Sequence, residues 1–292
     1  MKAAPFDYAR PGSLAEATAL LAANEDARVI AGGHTLVPMM AMRLARPPLL
    51  VDIASIPGLS GIREEQVQIV IGAMTRQAAA EKSTLIASRV PLLAAALPWV
   101  GHAPTRNRGT IGGSCANADP AAEIPLVLSV LEGAIRWQGA AGQGEILARD
   151  FFAGAMATAL PEAAILTEVR FPIWSETRIG VGFHEASARR SDFAYVSAAA
   201  QIALDAQGRC IRCAIGIGGA TPAPARMDKA CAALIGSRLE AAEITAALAD
   251  DIGVLDIMSD GHATPAYRRR VAAALAARAV ADARDHAREM RP

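Results

Sequence analysis

The sequence predicts an α+β protein in two parts, and three observations predict it. A strand-like run at 27–30, an apolar stretch at 36–43 and a second strand-like run at 49–53 follow a small βαβ pattern. Two glycine pairs, Gly32-Gly33 and Gly112-Gly113, stand next to hydroxyl residues, the first where a strand turns into a helix. Beyond Pro172, two long β-type runs at 195–204 and 209–216 flank the turn Asp205-Ala206-Gln207-Gly208, and helical stretches follow. With 292 residues, against roughly 100–200 per domain, the chain divides into residues 1–175 and residues 176–292.

The elements follow in order. The turn Arg10-Pro11-Gly12 leads into a helix capped by Ser13, with Glu16 completing a capping box. After the βαβ unit, 66–73 alternates like a strand, Thr75 is placed to cap a helix, and 91–99 reads as another. Asp119-Pro120 has the form of a helix start, N-cap followed by Pro, and predicts a helix over 120–131. Short strands near 134–137 and 144–147 precede a strand at 164–171 that Pro172 ends. The last helices are expected at about 227–235, 239–250 and 264–286.

A glycine turn entering a helix leaves the first backbone N–H groups without intrahelical partners, at the positive end of the peptide dipoles. That makes it a site for an anion. Lacking Cβ atoms, Gly32 and Gly33 adopt φ > 0 freely and let a phosphate approach the backbone, where another residue would lose roughly 1–2 kcal/mol. Thr35 adds a hydroxyl that either caps the helix or bonds a phosphate oxygen. The second pair, in Thr110-Ile111-Gly112-Gly113-Ser114, predicts another turn with free N–H groups, so that two turns grip one diphosphate from both sides.

Composition narrows the class. Lys plus Arg and Asp plus Glu number 29 each, and the only basic block, Arg268-Arg269-Arg270, lies in a helix with arginines on several faces, so nucleic acid is not expected. No uninterrupted apolar run reaches the roughly 18 residues of a membrane span, and the first residues lack the apolar core of a signal peptide, which predicts a cytoplasmic protein. Four scattered cysteines do not make a disulfide framework. Cys210 and Cys213 have CxxC spacing but sit in a strand-like run without a second pair, so no metal site is expected there.

Three blocks, AGGHTLVPMMAMR at 31–43, RNRGTIGGSCANADPAAEIP at 106–125 and RRSDFAYVSAA at 189–199, together resemble the FAD-binding medium subunit of the xanthine dehydrogenase and carbon monoxide dehydrogenase family, the molybdenum hydroxylases. They stand in the family's order, and the resemblance extends over the whole chain. It implies a PCMH-type FAD-binding domain, made of a small βαβ subdomain and a mixed α+β subdomain, followed by a C-terminal domain of antiparallel sheet with a helical bundle.

The resemblance also implies a set of FAD-binding residues. Ala31, Gly32, Gly33, His34, Thr35 and Leu36 would hold the diphosphate, with Thr110, Gly113 and Ser114 from the second block. Asp119 and Glu123 would bond ribityl or adenosine hydroxyls, a suitable place for carboxylates that phosphates would repel. Leu166 belongs to the same implied set, and Asp192 and Phe193 would lie near the isoalloxazine ring, with Phe193 or Tyr195 covering one face. His34 either donates to a phosphate or turns outward, and His184 and Glu185 stand just upstream of the third block.

In such a complex a large subunit carries the molybdopterin-type molybdenum cofactor and a small subunit carries two [2Fe-2S] clusters, the whole being a dimer of heterotrimers. The resemblance implies that this chain has no catalytic residue for substrate oxidation and no metal site. It would receive electrons from the clusters and pass them to a terminal acceptor. Carbon monoxide, aldehydes, purines and N-heteroaromatic compounds all remain open as substrates of the complex. A stand-alone flavin oxidoreductase of the vanillyl-alcohol-oxidase type is the main rival, although that type normally has a larger substrate domain than residues 176–292 provide. A non-enzymatic protein that binds another diphosphate at the turns is the second.

Overall fold

A computed structural model describes residues 2–290. Strands Asp7–Ala9, Arg28–Ile30 and Leu49–Asp52 form a parallel sheet with Leu49–Asp52 in the middle. Parallel neighbours need crossovers, supplied by helices Leu14–Ala23 and Leu36–Ala41. Ser13 caps the first of these through Glu16 N, while the Glu16 carboxylate accepts from Gly12 N rather than Ser13 N, so the expected capping box closes one residue early.

The rest of the first domain is a five-stranded antiparallel sheet with short helices. Its order is Ile62–Glu65, Gln68–Gly72, Ile165–Pro172, Ala134–Gly139 and Gly142–Leu147. Two expected helix starts are corrected. Thr75 caps no helix, because its hydroxyl bonds the Gly61 backbone at both N and O (3.0 Å each) and the helix begins at Gln77. Asp119 folds its carboxylate onto Ala121 N (2.9 Å), which makes a local turn and delays the helix to Glu123–Val130.

In the C-terminal domain, strands Ile179–Ser187, Ala194–Leu204, Cys210–Gly218 and Ala225–Arg226 form an antiparallel sheet in that order. Helices Asp228–Leu234, Ala241–Gly253 and Pro265–Glu289 make the bundle. The first of these strands is not visible in the sequence because Gly180 and Gly182 interrupt its pattern. The structure gives their reason: a Cβ on either would strike the carbonyl oxygen of Ala283 or Ala279 in the last helix. Ala272, Ala276, Ala279, Ala283 and Ala287 are all fully buried along that seam, so strand and helix meet nearly backbone to backbone.

Side chains alternate across the sheet. Val196, Ala198, Ala200 and Ile202 face the bundle, whereas Phe183, Ala199 and Ala203 join the core of the first domain. Helix Glu123–Val130 seats Leu126 over Gly216 and Gly218, where added Cβ atoms would lie 3.3 and 3.2 Å from its methyl groups. Burying such a leucine contributes about 1.5–3 kcal/mol, and here it ties the two domains together.

Candidate functional site

The first glycine turn leaves the C-terminal end of strand Arg28–Ile30, the edge of a parallel α/β unit where ligands generally bind. Gly33 has φ +75°, a conformation that glycine adopts without strain. Among the described residues, the N–H groups of Gly32, Gly33, His34, Thr35 and Leu36 donate to no other protein group, while the Gly33 carbonyl accepts from Val37 N at 3.0 Å. The helix that follows has only six residues, and Thr35 makes no side-chain cap. The anion-binding character of the turn therefore rests on this run of N–H donors, with little help from a helix dipole. His34 is exposed, and Thr35 and Leu36 are half-buried.

The second glycine pair behaves differently, and the expected second turn with free N–H groups is corrected. Gly112 and Gly113 lie inside helix Ile111–Asn117, and its first donors are all taken. Ile111 N donates to Thr75 O (3.0 Å), Gly112 N to Ala73 O (2.9 Å), Gly113 N to the Thr110 hydroxyl (3.0 Å) and Ser114 N to Thr110 O (3.2 Å). Gly112 is needed for space, since its Cβ would lie 2.5 Å from that of Ala73.

The two glycine turns nevertheless touch. A Cβ on Gly32 would sit 2.6 Å from the Arg108 carbonyl oxygen and 2.9 Å from the Gly109 Cα, and one on Gly113 would be 3.7 Å from the Ala31 Cβ. Arg76 and Gln77, which carry no signal in the sequence, hold in place the junction at 108–110 between helices Ala103–Arg108 and Ile111–Asn117. Arg76 donates to Arg108 O, Gln77 N donates to Gly109 O (2.9 Å), and the Gln77 side-chain amide donates to Thr110 O (3.5 Å).

Helix Ile111–Asn117 runs from this junction toward a cavity of about 530 Å³ between the domains, a helix length of roughly 10 Å at 1.5 Å per residue. Asp119, Asp192, Phe193, Tyr195, His262 and Arg268 line that cavity. Asp119 of the second block thus shares this cavity with Asp192 and Phe193 of the third, whereas Thr110, Gly113 and Ser114 do not line it. Asp192 accepts from Phe193 N (3.0 Å) and pairs with Arg189 (3.1 Å), fixing the loop, while Phe193 is 73% exposed. Ala118 and Ser191, beside the cavity, both have positive φ (47° and 66°).

Arg268, which the sequence reading leaves without a role, is 2% exposed. Its guanidinium donates to Tyr195 O and Gly219 O (2.6 Å each) and pairs with Asp260. Two backbone N–H groups, of His262 and Ala263, together with Arg268 hold the Asp260 carboxyl at about 2. Leu166 is not at the cavity: it is buried in the core of the five-stranded sheet, opposite Trp137. Glu123 does not line the cavity either; it opens helix Glu123–Val130, which packs on the four-stranded sheet. Burial and the charge of Asp119 push it up to about 7. Burial also raises Asp119.

The model for the FAD binding domain in molybdopterin dehydrogenase matches residues 4–174, and that for the CO dehydrogenase flavoprotein C-terminal domain matches residues 182–283. The chain belongs to this family of flavoprotein subunits. Among its relatives is the 6-hydroxypseudooxynicotine dehydrogenase complex subunit alpha of Paenarthrobacter nicotinovorans, 37% identical over 99% of this chain and 97% of the relative. The carbon monoxide dehydrogenase medium chain of Afipia carboxidovorans is 36% identical over 97% and 98%. A structure of reconstituted CO dehydrogenase from Oligotropha carboxidovorans superposes with a TM-score of 0.94, at 35% identity over 98% of this chain and 100% of the other.

This flavoprotein subunit has features that fit FAD. The N–H run at Gly32–Leu36 offers donors to a diphosphate, and the carboxylates Asp119 and Asp192 stand at the cavity, away from that run. Among the described residues no three His, Cys, Asp or Glu side chains gather as metal ligands, and no helix is long and apolar enough to cross a membrane.

Proposed function

We propose that this flavoprotein subunit is the electron-transfer component of a molybdenum hydroxylase complex. In this reading it takes electrons from the [2Fe-2S] clusters of a small partner subunit and delivers them to a terminal acceptor. A large partner holds the molybdenum cofactor and oxidises the substrate, the complex being a dimer of heterotrimers. FAD supplies the redox chemistry, accepting electrons singly or in pairs. The observation that carries the reading is the whole-chain likeness to subunits of named dehydrogenase complexes.

The chain's own residues have distinct tasks in this reading. The N–H groups of Gly32 to Leu36 bind the diphosphate, Ala31 closes the turn against Gly113, and the hydroxyls of Thr35 and Ser114 add donors. His34 stands at the same turn and carries less of the binding because its ring is exposed. Thr110 acts indirectly, by capping the helix that leads to the cavity. Asp119 accepts from a ribityl or ribose hydroxyl. Asp192 orders the loop that presents Phe193 and Tyr195 to the flavin ring. Leu166 shapes the site from within the core, and Glu123 from behind Asp119.

Identities of 37% to a 6-hydroxypseudooxynicotine enzyme and 36% to a carbon monoxide enzyme do not separate substrate classes. The test is affinity capture of the natively expressed chain, with a visible spectrum and metal analysis of what accompanies it. Two further subunits with molybdenum, iron and flavin absorbance are expected. A lone yellow protein that oxidises a substrate unaided would overturn the reading in favour of a stand-alone flavin oxidase.

A further inference from the structure

Among the described residues, every hydrogen bond of the Arg268 side chain ends on the wall of the cavity between the domains. The guanidinium donates to Tyr195 O and Gly219 O (2.6 Å each) and to the Asp260 carboxylate, and its carbon lies 6.0 Å from the centre of the Tyr195 ring. Tyr195, Gly219 and Asp260 all line the cavity. Asp260 in turn accepts from His262 N (2.9 Å) and Ala263 N (3.0 Å), which folds 260–263 into a tight turn just before helix Pro265–Glu289.

The same arginine thereby joins four stretches of chain that are far apart in sequence. Gly219 N donates to Pro120 O (2.7 Å), and a Cβ on Gly219 would lie 2.8 Å from Ala194 O, so the 119–121 and 192–195 stretches close on it. Met258 N donates to Ala220 O (2.8 Å), which brings the 258–263 stretch alongside. Where they meet, the His262 ring lies over the Tyr195 ring, with centres 6.1 Å apart and planes 17° from parallel. The result is an aromatic face on the cavity that holds Asp192 and Phe193.

Folding alone does not account for this arginine. It is buried, and its Nε has no hydrogen-bond partner among the described residues. Removing a guanidinium from water is costly, and well-packed apolar side chains commonly serve stability as well as a buried ion pair does. What an apolar side chain cannot do is bond two carbonyls and a carboxylate through one rigid fork, and so fix where separate loops stand.

We propose that Arg268, acting through Asp260 and Tyr195 O, is a positioning residue that sets the Tyr195 and His262 rings as one wall, and that this wall, His262 included, lies against the isoalloxazine ring of FAD. The second half rests on the flavin site proposed above. A flavin ring is planar and largely apolar, and stacking against an aromatic face gives it a fixed orientation. His262 stands outside the three sequence blocks that carry the family resemblance, so only the fold brings it to this cavity.

The experiment compares the full chain as wild type, His262→Ala, Asp260→Ala and the double variant. His262 and Asp260 are both exposed, so the fold is expected to survive, with Tm as the check. In the FAD-free chain the wall is read by proton NMR. The His262 C2–H resonance, assigned by its absence in His262→Ala, should be displaced by the Tyr195 ring current and return toward an ordinary shift in Asp260→Ala. A His262 resonance unmoved by Asp260→Ala would overturn the clamp.

The FAD-loaded chain tests the contact. His262→Ala should alter the visible circular dichroism of the flavin bands and the flavin midpoint potential, and weaken FAD binding by about two- to tenfold for one lost aromatic contact. ADP, which lacks the ring, should bind as it does to wild type. Asp260→Ala should change the flavin signals in the same direction, and combining it with His262→Ala should change them no further, because both act on one wall. Unaltered flavin bands, potential and affinity in His262→Ala would overturn the contact, as would equal losses for FAD and ADP. A wild-type chain that retains neither FAD nor ADP would break the functional reading and the flavin contact with it, while the FAD-free resonance would still decide the clamp.

Discussion

The two glycine pairs look alike in the sequence and do opposite work in the fold. At Gly32-Gly33 the backbone turns with a left-handed glycine and leaves five successive N–H groups without protein partners among the described residues. At Gly112-Gly113 the backbone is helical, every early N–H is bonded, and the missing side chain makes room for Ala73. A glycine pair thus signals either a conformation or a close approach, and only the hydrogen-bond inventory of its N–H groups separates the two. The first turn leaves donors for a ligand in the proposed reading; the second packs against the first.

Four substitutions test that division. Gly33→Asp should have the largest effect and abolish FAD retention, because it forces a side chain into φ +75° and sets a negative charge beside the diphosphate donors. Flavin absorbance per polypeptide measures it, and wild-type occupancy would remove this turn from the site. Gly112→Ala should instead cost stability, about 1–3 kcal/mol of overpacking against Ala73, seen as a lower Tm in the FAD-free chain. If it spared Tm while releasing FAD, the second pair would be a ligand turn after all.

Thr110→Val removes a helix cap and should destabilise by about 1 kcal/mol, with FAD bound at saturating concentration. Denaturant unfolding read beside flavin titration separates the two effects. The smallest change is expected from Thr35→Ala. Its hydroxyl caps nothing, so stability should stay within about 0.5 kcal/mol, and FAD affinity should weaken by about tenfold for one lost charge-assisted hydrogen bond. An unfolding shift larger than that would assign Thr35 to the fold.

Much of the architecture is legible in the sequence because it depends on local pattern. The βαβ unit, the hairpin of Ala194–Leu204 with Cys210–Gly218 and the three final helices all show their period and turn residues directly. Strand Ile179–Ser187 is hidden because its glycines answer to a helix a hundred residues away. Asp119 and Thr75 are misleading as helix caps because their side chains found other backbone partners, Ala121 N and Gly61. At the candidate site, the sequence points to the blocks at 31–36 and 189–195, the first through its glycine turn and the second through the family resemblance. Arg76, Gln77 and Arg268 are not, since an arginine or glutamine that bonds distant carbonyls looks the same in sequence as one facing solvent.

By itself, the sequence determined most of the strands and helices, though not strand Ile179–Ser187, and the chemistry by which a glycine turn after Arg28–Ile30 would suit an anion, because these follow from residue spacing and backbone freedom. Only the tertiary structure decided which glycine pair keeps its N–H groups without protein partners among the described residues, and which arginine is buried behind the cavity. Hydrogen-bond satisfaction and desolvation depend on what else arrives at a point in space, and no local spacing along the chain encodes that.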